Sequence, residues 1–127
     1  MSKIKITNIN MVNGLNTLAV LAGAKLPIKI SYAVKKNIEI IARELKTYDD
    51  EKAILIDRFG QKDEEGNLKT EGNKCFIDDV EGFNKEITEL NNIENEVDFY
   101  DISLDSLLNS NVELTTVELT SIEFLLK

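Results

Sequence analysis

The sequence predicts an α+β fold that is mostly helical: one long helix in an antiparallel helical hairpin with a β-hairpin or loop tip, a short two-stranded sheet and a closing helix. Three observations predict it. An apolar seam with alternating steps of three and four runs without a breaker from Pro27 to Phe59. A second seam of the same spacing follows Asp79. Two short stretches near the ends alternate apolar and charged residues, one basic and one acidic.

The first of these, "KIKITN", sets Lys3, Lys5 and Thr7 against Ile4 and Ile6, the period of two that marks a half-buried strand. Val12, Leu15, Leu18 and Ala22 then recur at helical spacing and end at Gly23, which predicts a helix from Asn8 to Ala22 weakened internally by Gly14. Pro27 suits the first turn of the next helix, where its missing N–H costs nothing. Val34, Ile38, Ile41, Leu45, Tyr48, Leu55 and Phe59 form its seam, with Lys52 at the one missed position. That pattern spans about nine turns at 3.6 residues each. Asp79 can cap the partner helix, whose Val80, Phe83, Ile87 and Leu90 complete the hairpin.

Between the two lies "GQKDEEGNLKTEGNKCFID", where the EEGN and TEGN steps read as turns and Lys74 to Ile77 as a short strand. A calcium loop fails on spacing, because Gly66 in the sixth position places Gln61 first and no glutamate stands six residues after the glycine. After the hairpin, "EVDFYDISL" places Val97 and Phe99 among acids, and pairing it with the N-terminal strand brings opposite charges face to face. Thr115 and Glu118 form a capping box for the closing helix. No linker or repeat divides residues 1–127, so a single domain is expected.

The 127 residues contain one cysteine, Cys75, and no histidine, which removes disulfides, thiolate or imidazole zinc sites and Ser-His-Asp triads as function classes. Cys75 reads as a small buried side chain. The pair Asp98 and Asp101 can do acid–base work, but no pocket or metal signature accompanies it. No apolar run approaches the roughly 20 residues of a membrane span, and no apolar core follows the N-terminal lysines as in a signal peptide. The expected setting is a cytoplasm, with no membrane partner and no cofactor.

Charge is divided along the chain. Residues 1–48 carry eight lysines and arginines against two acids, net +6, and residues 49–127 carry seven against twenty-one, net −14. On the long helix, Lys29, Tyr32, Lys36 and Arg43 fall opposite the apolar seam, joined by Lys25 if the helix begins early; Glu39 is the acid among them. An aromatic ring among ammonium and guanidinium groups suits a ligand that offers both a π-face and anionic oxygens. Lys25, Lys29, Tyr32, Lys36 and Arg43 are therefore the candidate binding residues for a small nucleotide-type anion. The plainer alternative packs Tyr32 on a neighbouring helix and leaves the lysines as a solvated face. Long nucleic acid fits poorly, because the acidic remainder repels a polyanion within a Debye length of roughly 8–10 Å.

The segments "KIKITNINMVNGLNTLAVLAGAKLPIKISYAVKKNI", "IDRFGQKDEEGNLKT", "FNKEITEL" and "ELTTVELTSIEFLL" give the chain a resemblance to a family of small uncharacterised proteins from tailed phages and prophages of low-GC Gram-positive bacteria. The resemblance brings no catalytic residue with it and implies a phage setting, with the host cytoplasm as the place of action. The expectation that follows is a non-enzymatic accessory protein that counters host defence by sequestering a nucleotide-type signal, enclosed by a homo-oligomer because one helix cannot surround a ligand. Two alternatives use protein partners of the host or phage: a virion or tail-associated structural protein, or an acidic inhibitor of a host nuclease.

Overall fold

The computed structural model describes residues 2–72 and 74–127, with the backbone alone at Lys74 and Cys75, so the reading of the Cys75 side chain lies outside the described residues. The protein is α+β and 59% helical, with a short antiparallel two-stranded sheet. The chain forms two compact units, one from Met1–Leu45 with Glu94–Lys127 and the other from Lys46–Ile93.

In the first unit, strand β1 (Ser2–Thr7) leads directly into helix α1 (Asn8–Ala22), and the Thr7 hydroxyl caps it by accepting from the Asn10 N–H at 3.2 Å. Strand β4 (Glu94–Phe99) pairs antiparallel with β1, setting Lys3 opposite Asp98, Ile4 opposite Val97 and Lys5 opposite Glu96. Alternation assigns the faces. Ile6, Val97 and Phe99 are buried on one side, while Lys3, Lys5, Glu94, Glu96 and Asp98 are exposed on the other. The buried face packs with Met11, Leu18 and Leu21 of α1, with Ile30, Val34 and Ile41 of helix α2 (Ile28–Glu44), and with Ile102, Leu107, Ile122 and Leu125 from the C-terminal region.

Gly14 has a packing reason for its place in α1. A Cβ there would stand 3.0 Å from the Phe124 ring, whose edge contact with Phe99 at 5.2 Å fixes it under the sheet. The closing helix, α6 (Thr116–Ser121), carries the expected capping box: the Glu118 N–H donates to the Thr115 hydroxyl and the Thr115 N–H donates to the Glu118 carboxylate. A 3₁₀ turn at Glu123–Leu125 follows, and Ile102 then bridges Leu126 in parallel, which ties down the C-terminal residues. The short helix α5 (Leu104–Leu108), capped by Ser103, has no counterpart in the sequence reading.

The expected single long helix is instead two. It closes at Glu44, Leu45 adopts a tightened conformation with ψ −2°, and helix α3 (Lys46–Phe59) begins at the next residue. No proline or glycine marks that point, and the gap in the seam at Lys52 falls inside α3 rather than at the break.

In the second unit, α3 and helix α4 (Val80–Asn91) form the antiparallel hairpin. Tyr48 donates to the Asn91 side chain at 2.6 Å at one end, and at the other Phe59 meets Phe83 edge-on at 6.1 Å while Arg58 pairs with Glu86 at 3.4 Å. The tip holds the paired strands β2 (Thr70–Glu71) and β3 (Lys74–Cys75). Gly66, at φ +83°, makes the turn that Asp63 organises by accepting from the N–H groups of Glu65 and Asn67.

Candidate binding site on the α2 face

Helix α2 exposes one face of the first unit because its buried residues, Ile30, Ala33, Val34, Asn37 and Ile41, recur at three and four along the opposite side. Lys29, Tyr32, Lys36 and Arg43 all stand on this helix. Lys25 does not. The helix starts at Ile28 with Pro27 at its cap, so Lys25 sits in the connection before it.

Tyr32 is 55% exposed and yet its ring is held on two sides. Its neighbour Tyr100 meets it edge-on with centroids 6.1 Å apart, and the Lys36 ammonium lies 5.7 Å from its centre. Tyr32 thus meets the ring of the residue that follows β4. Tyr100 is itself fixed by Asn37, a fully buried side chain whose amide donates to the Tyr100 carbonyl and accepts from the Tyr100 N–H, both at 2.9 Å. Neither Asn37 nor Tyr100 stands out as a site residue in the sequence. Asn37 lies three after Val34 and four before Ile41, beside a seam whose turn Ile38 already fills, so the spacing gives no separate signal for it.

Beside Tyr100 a hollow of about 480 Å³ opens between α2 and β4. Lys36 and Arg43 line it together with Lys3; Lys25, Lys29 and Tyr32 do not. Four carboxylates share it, Glu39, Glu44, Glu96 and Asp98, and Lys3 approaches Glu96 at 3.9 Å. The sequence showed Glu39 alone because the other acids reach the hollow from the end of α2 and from β4. At a rise of 1.5 Å per residue, Lys29 and Arg43 are about 21 Å apart along α2, so the compact grouping is Tyr32, Lys36 and Tyr100 with the hollow beyond them.

Chemically, the ring of the exposed Tyr32, beside the half-buried Tyr100, offers a stacking surface, Lys36 and Arg43 can meet anionic oxygens, and the carboxylates can accept from exocyclic amino groups. The hollow is mixed in sign and not purely cationic. Among the described residues no group of three or more acids, cysteines or histidines could hold a metal ion, and no helix is long and apolar enough to cross a membrane. Comparison with protein-family models, with curated proteins and with solved structures finds no match.

Proposed function

We propose that the protein acts by binding and not by catalysis, capturing a small nucleotide-type anion on the α2 face. The observation that carries this reading is Tyr32: a residue more than half exposed, its ring braced by Tyr100 and lying next to the Lys36 ammonium. A base stacks on such a surface, its phosphates meet Lys36 and Arg43, and its amino groups find Glu39 or Asp98 across the hollow. Lys29, one turn before the ring, adds a cation for a ligand with more than one phosphate, and Lys25 flanks the start of the helix. A second copy of the chain closing over this face supplies the enclosure that one open surface lacks. In the phage setting implied by the sequence resemblance, capture of this kind withdraws a nucleotide signal from host defence.

Native mass spectrometry with mononucleotides, cyclic oligonucleotides and ADP-ribose derivatives tests the reading. A stoichiometric adduct on a defined oligomer supports it; a bare chain throughout the panel rejects it.

A second reading, assembly onto a virion or tail subunit, is favoured by the exposed Ile54, Phe76, Val80 and Ile93 of the hairpin unit. A gene position inside the morphogenesis cluster would favour assembly, and an accessory locus favours capture.

A further inference from the structure

A groove of about 1040 Å³ runs beside β1 from Ile4 to Thr7 and is walled by α1 and α6. From α1 it receives Asn10, Asn13 and Asn16, three exposed amides at successive steps of three whose side chains make no hydrogen bond with described residues. The hydroxyls around them are largely spent inside the fold: Thr17 and Ser121 bond each other at 2.6 Å, and Thr120 donates to the Thr116 carbonyl at 2.8 Å. The amides are therefore the groove's free neutral donors and acceptors. Apolar surface enters the same space from Val20 of α1, 49% exposed, from Val117 of α6, 78% exposed, and from the half-buried Phe124.

Charge narrows the ligand. Glu94, Glu118 and Glu123 line the groove against Lys5 alone, which disfavours an anion. The three carboxylates do not gather into a cation site either: they come from β4, α6 and the 3₁₀ turn, Glu118 is committed to the capping box, and among the described residues no acidic group of three could hold a metal ion. What remains is a neutral ligand with many hydrogen-bonding groups and some apolar surface. We propose that this groove binds a neutral oligosaccharide. Each asparagine amide both donates and accepts, as a sugar hydroxyl does, so one amide can meet two neighbouring hydroxyls. The valines and Phe124 suit the C–H face of the ring. At 1.5 Å per residue the amides span about 9 Å from Asn10 to Asn16, close to the length of two linked sugar rings. The proposal does not depend on the nucleotide reading, since Tyr32, Lys36 and Tyr100 line no part of the groove.

The test titrates the ¹⁵N-labelled protein with two neutral trisaccharides, the N-acetylglucosamine trimer and maltotriose, and with two charged ones, the cationic glucosamine trimer and anionic trigalacturonate. Saccharide binding predicts that at least one neutral trimer shifts the side-chain amides of Asn10, Asn13 and Asn16, and that trigalacturonate binds about tenfold more weakly or not at all. The double variant Asn13→Ala, Asn16→Ala keeps its helix, because alanine is the better helix former, and should bind the neutral trimer about tenfold more weakly. Tyr32→Ala, outside the groove, should bind it as the wild type does. No shift with either neutral trimer, or an affinity that the double variant retains, overturns the proposal. Tightest binding of the glucosamine trimer assigns the groove to cations and overturns it as well.

Discussion

The Asn37 side chain does for Tyr100 what a neighbouring strand would do: it donates to the Tyr100 carbonyl and accepts from the Tyr100 N–H, each at 2.9 Å, across 63 residues of sequence. This fully buried amide joins α2 to the end of β4 and sets the ring that braces Tyr32. Replacing it with alanine leaves two main-chain groups without partners, at about 1–3 kcal/mol each. We expect Asn37→Ala to lower unfolding stability by about 2–4 kcal/mol in urea titration. Tyr32→Ala, at an exposed position, should change it by under about 1 kcal/mol.

Gly14 is a packing position. Leucine there raises helix propensity but drives its side chain into the Phe124 ring, which lies 3.0 Å from where a Cβ would stand. Gly14→Leu should therefore destabilise by about 1–3 kcal/mol despite the propensity gain, as urea denaturation will show.

The capping box isolates a local contribution. Thr115→Ala removes the acceptor of the Glu118 N–H at 3.1 Å and should cost about 1 kcal/mol of stability by thermal or chemical unfolding. Thr115→Ser should restore most of it, because serine supplies the same hydroxyl.

Tyr48 makes the hairpin unit sensitive to alkali. Burial, and after it the negative charge of Asp49, pushes its phenol above the ordinary value of 10.0, while the hydroxyl donates to Asn91. A folded-state value above the unfolded one means that the folded chain keeps its proton longer. The stabilising contribution is complete below pH 10.0 and declines as pH rises from there toward the folded-state value. Alkaline titration followed at the tyrosinate absorbance should show a component above the ordinary value of 10.0 that Tyr48→Phe removes. The same variant should flatten the loss of stability above that pH.

What the sequence made legible was local. The bounds of α1, the capping box and the turns at Gly66 and Gly72 each depend on a few adjacent residues with specific stereochemistry. The pairing of β1 with β4 was also legible despite its separation, because alternation and opposite charge identify two strands that fit each other. The break at Leu45 was not, since a tightened ψ in an otherwise helical stretch needs no proline or glycine and leaves no mark in composition. Helix α5 has five residues, too few for a periodicity to show. Of the site, the face shared by Lys29, Tyr32, Lys36 and Arg43 followed from helical spacing. The brace from Asn37 and Tyr100, and the carboxylates of β4 that face Arg43 and Lys36, come from contacts that only the fold creates.

The most direct measurement is calorimetric titration of nucleotides into the wild-type protein and into Tyr32→Ala and Lys36→Gln. Binding on the α2 face predicts that a ligand bound by the wild type loses about 1–3 kcal/mol of affinity in Tyr32→Ala, and tenfold or more in Lys36→Gln, with the unliganded variants still folded and within about 1 kcal/mol of wild-type stability. Binding equally tight in all three proteins, or no nucleotide bound by the wild type, would contradict it.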